Sequence, residues 1–259
     1  MSHHKLEARA LHYAYPDGHE AVSNISFSIH HGEAVGIIGA NGAGKSTLLM
    51  LLMGILFPDQ GEVLLGDVHL TKKTLPMMRQ RLGMVFQDPD DQLFMTTVYD
   101  DVAFGPRNYK LDEREVAERV LQALDMVGIQ HLKDRAPFKL SGGEKRAAAI
   151  ASVLSMQPDV LIMDEPTSAL DPKSRRRVMA LLKSFEHTKI ITSHDLDMVL
   201  ETCDRVIVIK DGEVAADGRT IEILSNEELM NESGLEVPPL LMKCPACGNV
   251  GKKYNSYKI

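Results

Sequence analysis

The sequence predicts an α/β fold in which a mixed sheet is flanked by helices, and three observations carry that expectation. First, short Val- and Ile-rich runs at residues 34–38, 82–86, 160–163, 189–192 and 206–209 alternate with helical segments. Runs that are apolar on both faces suit parallel strands covered by helices on both sides. Second, a glycine-rich loop at residues 39–46 separates the first of these runs from a helical segment at 45–53. Third, Gly66-Asp67 and Asp211-Gly212 are turn dipeptides between strand-like runs, which adds antiparallel hairpins beside the parallel core.

The helical segments follow in order. Residues 112–127 read as a helix that Asp112 caps, with Glu115 completing a capping box and Val116, Val120, Leu124 and Val127 forming one apolar stripe before Gly128 stops it. A second helix is expected over residues 145–156. No repeat or low-complexity tract interrupts residues 1–225. Beyond them the pattern breaks into Asn226-Glu227-Glu228, Pro238-Pro239 and a polar end. The expected organisation is therefore one domain over residues 1–225, with a helical subdomain at about 89–155, and a tail over 226–259.

Composition narrows the function classes. A formal charge of −7 without a dense Lys/Arg run argues against a nucleic-acid surface, because phosphate backbones are held by clustered positive charge. The longest apolar stretches, at 48–53 and 206–209, fall well short of the roughly 18 residues that a membrane-spanning helix needs. Residues 1–9 are polar, unlike a secretory signal, and three cysteines cannot staple a chain of this size, so a reducing, cytoplasmic setting is expected.

The strongest chemical signal is Gly39-Ala40-Asn41-Gly42-Ala43-Gly44-Lys45-Ser46, which matches the P-loop pattern G-x-x-x-x-G-K-[ST] and has the required strand before it and helix after it. Glycines let the backbone N–H groups curl around an anion, and the helix N-terminus adds positive partial charge. Lys45 is suited to the β- and γ-phosphates of ATP and Ser46 to Mg²⁺, with Thr47 completing the expected ATP-binding set. The run at 160–163 ends in Asp164 and Glu165. There Asp164 can hold Mg²⁺ through water and Glu165 can act as base toward an attacking water. Either carboxylate alone could simply cap the next helix.

A P-loop and an acidic strand are common to many NTPases, but Leu140-Ser141-Gly142-Gly143-Glu144, ending 20 residues before Asp164, resembles the LSGGQ signature of ATP-binding-cassette (ABC) ATPases. Glu144 stands where Gln is commoner. The resemblance extends from about residue 6 to 224. It implies a P-loop NTPase fold of RecA-like type, with an antiparallel β subdomain and an α-helical signature subdomain. It also implies a second ATPase subunit paired head to tail, so that Ser141, Gly142 and Gly143 of one subunit close on ATP held by Lys45 of the other. By the same resemblance Gln87 looks like the Q-loop residue that contacts Mg²⁺ or water. Residues 168–171 look like the D-loop, and His194 like the H-loop residue that holds γ-phosphate and orients Glu165. Tyr15 sits where the family places an aromatic that stacks on adenine, and Tyr13 competes for that role.

Residues 85–94 (VFQDPDDQLF) and 15–18 (YPDG) resemble the energy-coupling-factor ATPases, particularly those of cobalt and nickel importers. That likeness implies a peripheral subunit on the cytoplasmic face of the cell membrane, working with a transmembrane coupling protein and a separate substrate-binding membrane component. A non-transport ABC ATPase would show a second cassette, a coiled-coil insert or a basic surface, and a purely regulatory subunit a damaged Glu165 or His194; none is present. In the tail, Cys244 and Cys247 resemble half of a zinc ribbon. A structural zinc site would need a partner's tail or histidines, and a redox pair or a bland tail are the alternatives. A free terminus at Ser2-His3-His4 could chelate Ni²⁺ or Cu²⁺, although terminal histidines are more often adventitious.

Overall fold

A computed structural model describes residues 5–242. In chain order the elements are β1 (Leu6–Ala14), β2 (Glu20–Ile29), β3 (Ala34–Ile38), α1 (Lys45–Leu52), β4 (Gln60–Leu65), β5 (Val68–His69), α2 (Leu75–Arg81), β6 (Leu82–Val85), α3 (Val98–Asn108) and α4 (Glu113–Met126). They continue with α5 (Gly142–Leu154), β7 (Val160–Asp164), α6 (Pro172–Ser184), β8 (Thr188–Thr192), α7 (Leu196–Thr202), β9 (Arg205–Lys210), β10 (Glu213–Arg219), α8 (Thr220–Leu224) and α9 (Glu227–Glu232).

Two sheets form. The larger runs β10-β9-β3-β8-β7-β6, parallel throughout except for β10 at its edge, and the smaller is an antiparallel β2-β1-β4-β5. The strands β3, β7 and β8 are buried at every residue, which is why β3 and the first four residues of β7 read as unbroken apolar runs. Both turn dipeptides close hairpins. Gly66-Asp67 joins β4 to β5 and Asp211-Gly212 joins β9 to β10, with Gly66, Asp211 and Gly212 all at positive φ.

Helix α1 lies between the sheets, and Leu48, Leu49, Leu51 and Leu52 have no exposed surface. It shares its core with Leu6, Ile25 and Ile29 of the small sheet and with Ile37, Ile162 and Ile190 of the large one. Gly44 introduces it at φ +100, where a Cβ would overlap the carbonyl oxygen of Ala21, so both backbone sign and space demand glycine. The opposite face of the large sheet carries a second core that joins α3, α4 and α5 to α6 and α7.

Two helix starts differ from expectation. Asp112 does cap α4, accepting from the N–H groups of Arg114 and Glu115. The Glu115 carboxylate, however, turns to Arg119 at 2.7 Å, because an ion pair one turn ahead competes for it, and the reciprocal half of the box does not form. Helix α5 begins at Gly142, three residues before the expected start. Ser141 is its N-cap, and Ser141 and Glu144 form a complete capping box that lets both glycines enter the first turn.

Packing continues past residue 225. Met230 of α9 is fully buried, Leu235, Val237 and Leu241 pack against the same core, and the N–H of Leu240 donates to Asp197 Oδ1 at 3.2 Å. A side chain on Gly234 would meet Ala40 Cβ at 3.3 Å, so the chain here runs against the P-loop. Among the described residues no helix is long and apolar enough to cross a membrane.

Candidate active site

The C-terminal ends of β3, β7 and β8 are neighbours in the parallel sheet, the edge at which open α/β sheets bind ligands. They bring Lys45, Asp164, Glu165 and His194 to one cleft of about 360 Å³. Tyr15, Asn41, Gly42, Gly44, Ser46, Thr47 and Gln87 line the same cleft. The Lys45 ammonium is buried and donates to the carbonyls of Gly39 at 2.8 Å and Ala40 at 2.9 Å. Burial pulls its pKa down, while Glu165 and Asp164 push it back up. Ala43 is buried and pins the loop to the β9–β10 turn, its carbonyl accepting from the Gly212 N–H at 3.2 Å.

The paired carboxylates are held differently. Asp164 Oδ1 accepts from the Thr192 hydroxyl at 2.5 Å, across the β7–β8 pair. Glu165 leaves the strand at φ +48, a left-handed conformation that is costly for a side chain of this size. Its Oε2 accepts from Ser193 Oγ at 3.3 Å and from the His194 N–H at 3.2 Å. Its Oε1 is buried without a hydrogen-bond partner and stands 3.5 Å from His194 Nε2. Burial raises the Glu165 pKa, and the His194 N–H is the largest opposing influence. A carboxylate so placed can accept a proton from water at a higher pH than an ordinary glutamate.

Of the two tyrosines, Tyr15 reaches the cleft, its hydroxyl 3.0 Å from Thr47 Oγ1, while Tyr13 meets it edge-on at 5.1 Å and packs against the core. Ser141 and Gly143 stand outside the cleft, and Gly142 borders a neighbouring one of about 740 Å³ that also touches Ser46, Gln87, Asp164 and Ser168–Leu170. The Ser141 N–H and, beside it, the Ser141 hydroxyl each donate to Glu144 Oε2 at 2.8 Å, and these bonds hold the Glu144 pKa down. Asp171 caps α6, accepting from the N–H groups of Lys173 and Ser174.

Sequence reasoning missed Thr192 and Ser193, which hold the two carboxylates. Their position directly before His194 at a strand end is the signal that could have found them. It also missed His19, which enters the cleft and lies parallel to the Tyr15 ring at 6.4 Å, and for which no motif exists. Cys244 and Cys247 lie outside the described residues. Among those residues, no group of three or more His, Cys, Asp or Glu side chains is placed to hold a metal ion. A cation in the cleft would depend on Ser46, Gln87 and Asp164 together with phosphate and water, and this all-oxygen set fits Mg²⁺, which keeps much of its water.

Comparisons with known proteins agree with this geometry. The family model described as ABC transporter matches residues 22–168. An ABC transporter ATP-binding protein of Geobacter sulfurreducens is 58% identical over 96% of this chain and 100% of its own length. An energy-coupling factor transporter ATP-binding protein, EcfA of Methanothermobacter thermautotrophicus, is 44% identical over 90% of this chain and 76% of its own. Among solved structures, cbiO1 of Clostridium perfringens, described as part of the ABC transporter complex cbiONQ, superposes with a TM-score of 0.79. It is 43% identical and covers 89% of this chain and 94% of its own. A dimeric post-hydrolysis cassette, MJ0796 bound to ADP and Pi, gives 0.76 at 29% identity, covering 83% and 98%. The chain thus belongs to the ABC transporter family, as an ATP-hydrolysing subunit of a transporter.

Proposed function

We propose that this chain powers an energy-coupling-factor type of importer for cobalt or nickel ions, acting at the cytoplasmic face of the membrane as one of a pair of ATPase subunits. The observation that carries the reading is the segment over residues 85–94 around Gln87, whose form resembles the ATPases of such importers; the EcfA and cbiO1 relatives support it. A surface for the membrane coupling protein is available in the exposed pair Phe94 and Phe104, whose rings meet edge-on at 4.9 Å.

In this reading Tyr15 stacks on adenine, while Lys45 and the N–H groups of the loop from Gly39 to Thr47 hold the phosphates. Ser46, Gln87 and Asp164 would hold Mg²⁺, which would supply charge neutralisation at the phosphates. Glu165 takes the proton of the attacking water through Oε1, and His194 fixes the Glu165 carboxylate through its N–H while its ring, half-exposed beside Oε1, meets the γ-phosphate. Ser141, Gly142 and Gly143 act on ATP held by the other subunit. The transported ion never enters this subunit.

The test is uptake by vesicles that contain this chain and the membrane proteins encoded beside its gene. ATP-dependent accumulation of radiolabelled cobalt or nickel, lost with Glu165→Gln, is the expected result. Uptake of a vitamin instead would keep the transporter and overturn the metal, and failure to co-purify with any membrane protein would overturn the importer.

A further inference from the structure

Arg146 lies in α5, five residues after Ser141, and is 2% exposed. Its Nη1 donates to the Phe86 carbonyl at 2.6 Å and its Nη2 to the Gln87 carbonyl by a very short bond. Nε is buried without a partner. Burial pulls the guanidinium pKa down, and the charge that opposes this comes from Asp88, then Asp164 and Glu165, two of which belong to the active site. A buried cation held by neutral carbonyls stabilises a fold less than an apolar side chain of similar size, so stability does not account for it.

The carbonyls it holds are the first two beyond β6, where the chain enters the nucleotide cleft at Gln87. Phe86 is gripped on its other side as well. Its N–H donates to Gln92 Oε1 at 3.2 Å, and Gln92 Nε2 donates to the Ala149 carbonyl at 2.8 Å and to Ser152 Oγ at 2.9 Å, both on α5. Lys145 adds an ion pair to Asp90 at 2.6 Å. The segment that carries Gln87 is thus fastened to α5, the helix whose N-cap is Ser141, by three side chains.

We propose that Arg146 is a positioning residue for ATP hydrolysis, which sets Gln87 over the nucleotide cleft. The inference rests on the ATP site described above.

The experiment compares the full-length chain with Arg146→Met and Arg146→Lys by kcat, KM, affinity for a non-hydrolysable ATP analogue and melting temperature. For Arg146→Met we expect an equal or higher melting temperature, analogue affinity within about twofold of wild type, and kcat lower by about tenfold to a hundredfold, the size of loss that small misplacements produce. Arg146→Lys, a point charge able to satisfy one carbonyl, should fall between. Unchanged kcat in Arg146→Met overturns the proposal, as does a loss of kcat that merely follows a lower melting temperature and weaker binding. If Arg146→Met does not fold, Arg146→Lys decides by the same criteria. Failure of the underlying reading looks different, since Lys45→Ala would then bind and hydrolyse ATP like wild type.

Discussion

At Glu165, burial and the proposed role as base pull in opposite directions. The carboxylate is 8% exposed, one of its oxygens has no hydrogen-bond donor, and its backbone is held left-handed. Its pKa is raised in the folded state, so ionisation costs stability at every pH above that value, and the cost fades as pH falls through it. Glu165→Gln should therefore raise stability at neutral pH, on the order of 1 kcal/mol, with the gain shrinking in acid; thermal melts across the pH range check this. The same substitution should lower kcat by about a hundredfold or more while nucleotide still binds, because the amide keeps the shape and cannot accept the proton. Wild-type turnover should lose its acid limb at a higher pH than an ordinary glutamate would dictate. Lys45→Ala should act on binding instead. It removes a buried cation from the phosphate bed and leaves the Gly39 and Ala40 carbonyls without their donor, so ATP affinity measured by titration should drop about tenfold or more.

The signature helix shows how two elements constrain each other. A Cβ on Gly143 would overlap the Ser174 hydroxyl and sit 2.7 Å from Ser174 Cβ, so α5 approaches the first turn of α6 as closely as glycine permits. Gly143→Ala should cost about 1–3 kcal/mol of stability through overpacking, read from denaturant midpoints, and should depress turnover by shifting Ser141. Met230→Ala, in α9, should cost about 2–5 kcal/mol by opening a cavity in the core. The P-loop with its strand and helix was legible in the sequence because every signal in it is local: a five-residue buried run, glycines, and a leucine-rich helix start. The hairpins at Gly66-Asp67 and Asp211-Gly212 were legible for the same reason. The start of α5 was not, since Gly-Gly reads as a turn until the Ser141 and Glu144 box is recognised. Strand β1 was hidden by interruptions of its alternation, with register shifts toward β2 and Ala10 at φ +45. Residues 226–242 hid their packing because Met230, Leu235, Val237 and Leu241 follow no helical period and find their partners far away in sequence. Arg146, Thr192 and Ser193 act through contacts that only folding creates.

At the scale of the whole molecule, the proposed mechanism gives one chain two half-sites that serve different ATP molecules. The cleft around Lys45 and Glu165 contains neither Ser141 nor Gly143, and Ser141 caps its own helix. In the proposed head-to-tail pair two sites would be completed at once, and closure around ATP would supply the motion that a membrane partner uses. The most direct test is a mixing experiment. Ser141→Arg should bind ATP with wild-type affinity and fail to hydrolyse it, because bulk and misplaced charge block closure, while Lys45→Ala fails at binding. Combined, the two should regain hydrolysis below the wild-type rate, through the single pairing of an intact Lys45 site with an intact Ser141. Full ATPase activity of Ser141→Arg alone, sedimenting as a monomer, would contradict the composite site and with it the central mechanism.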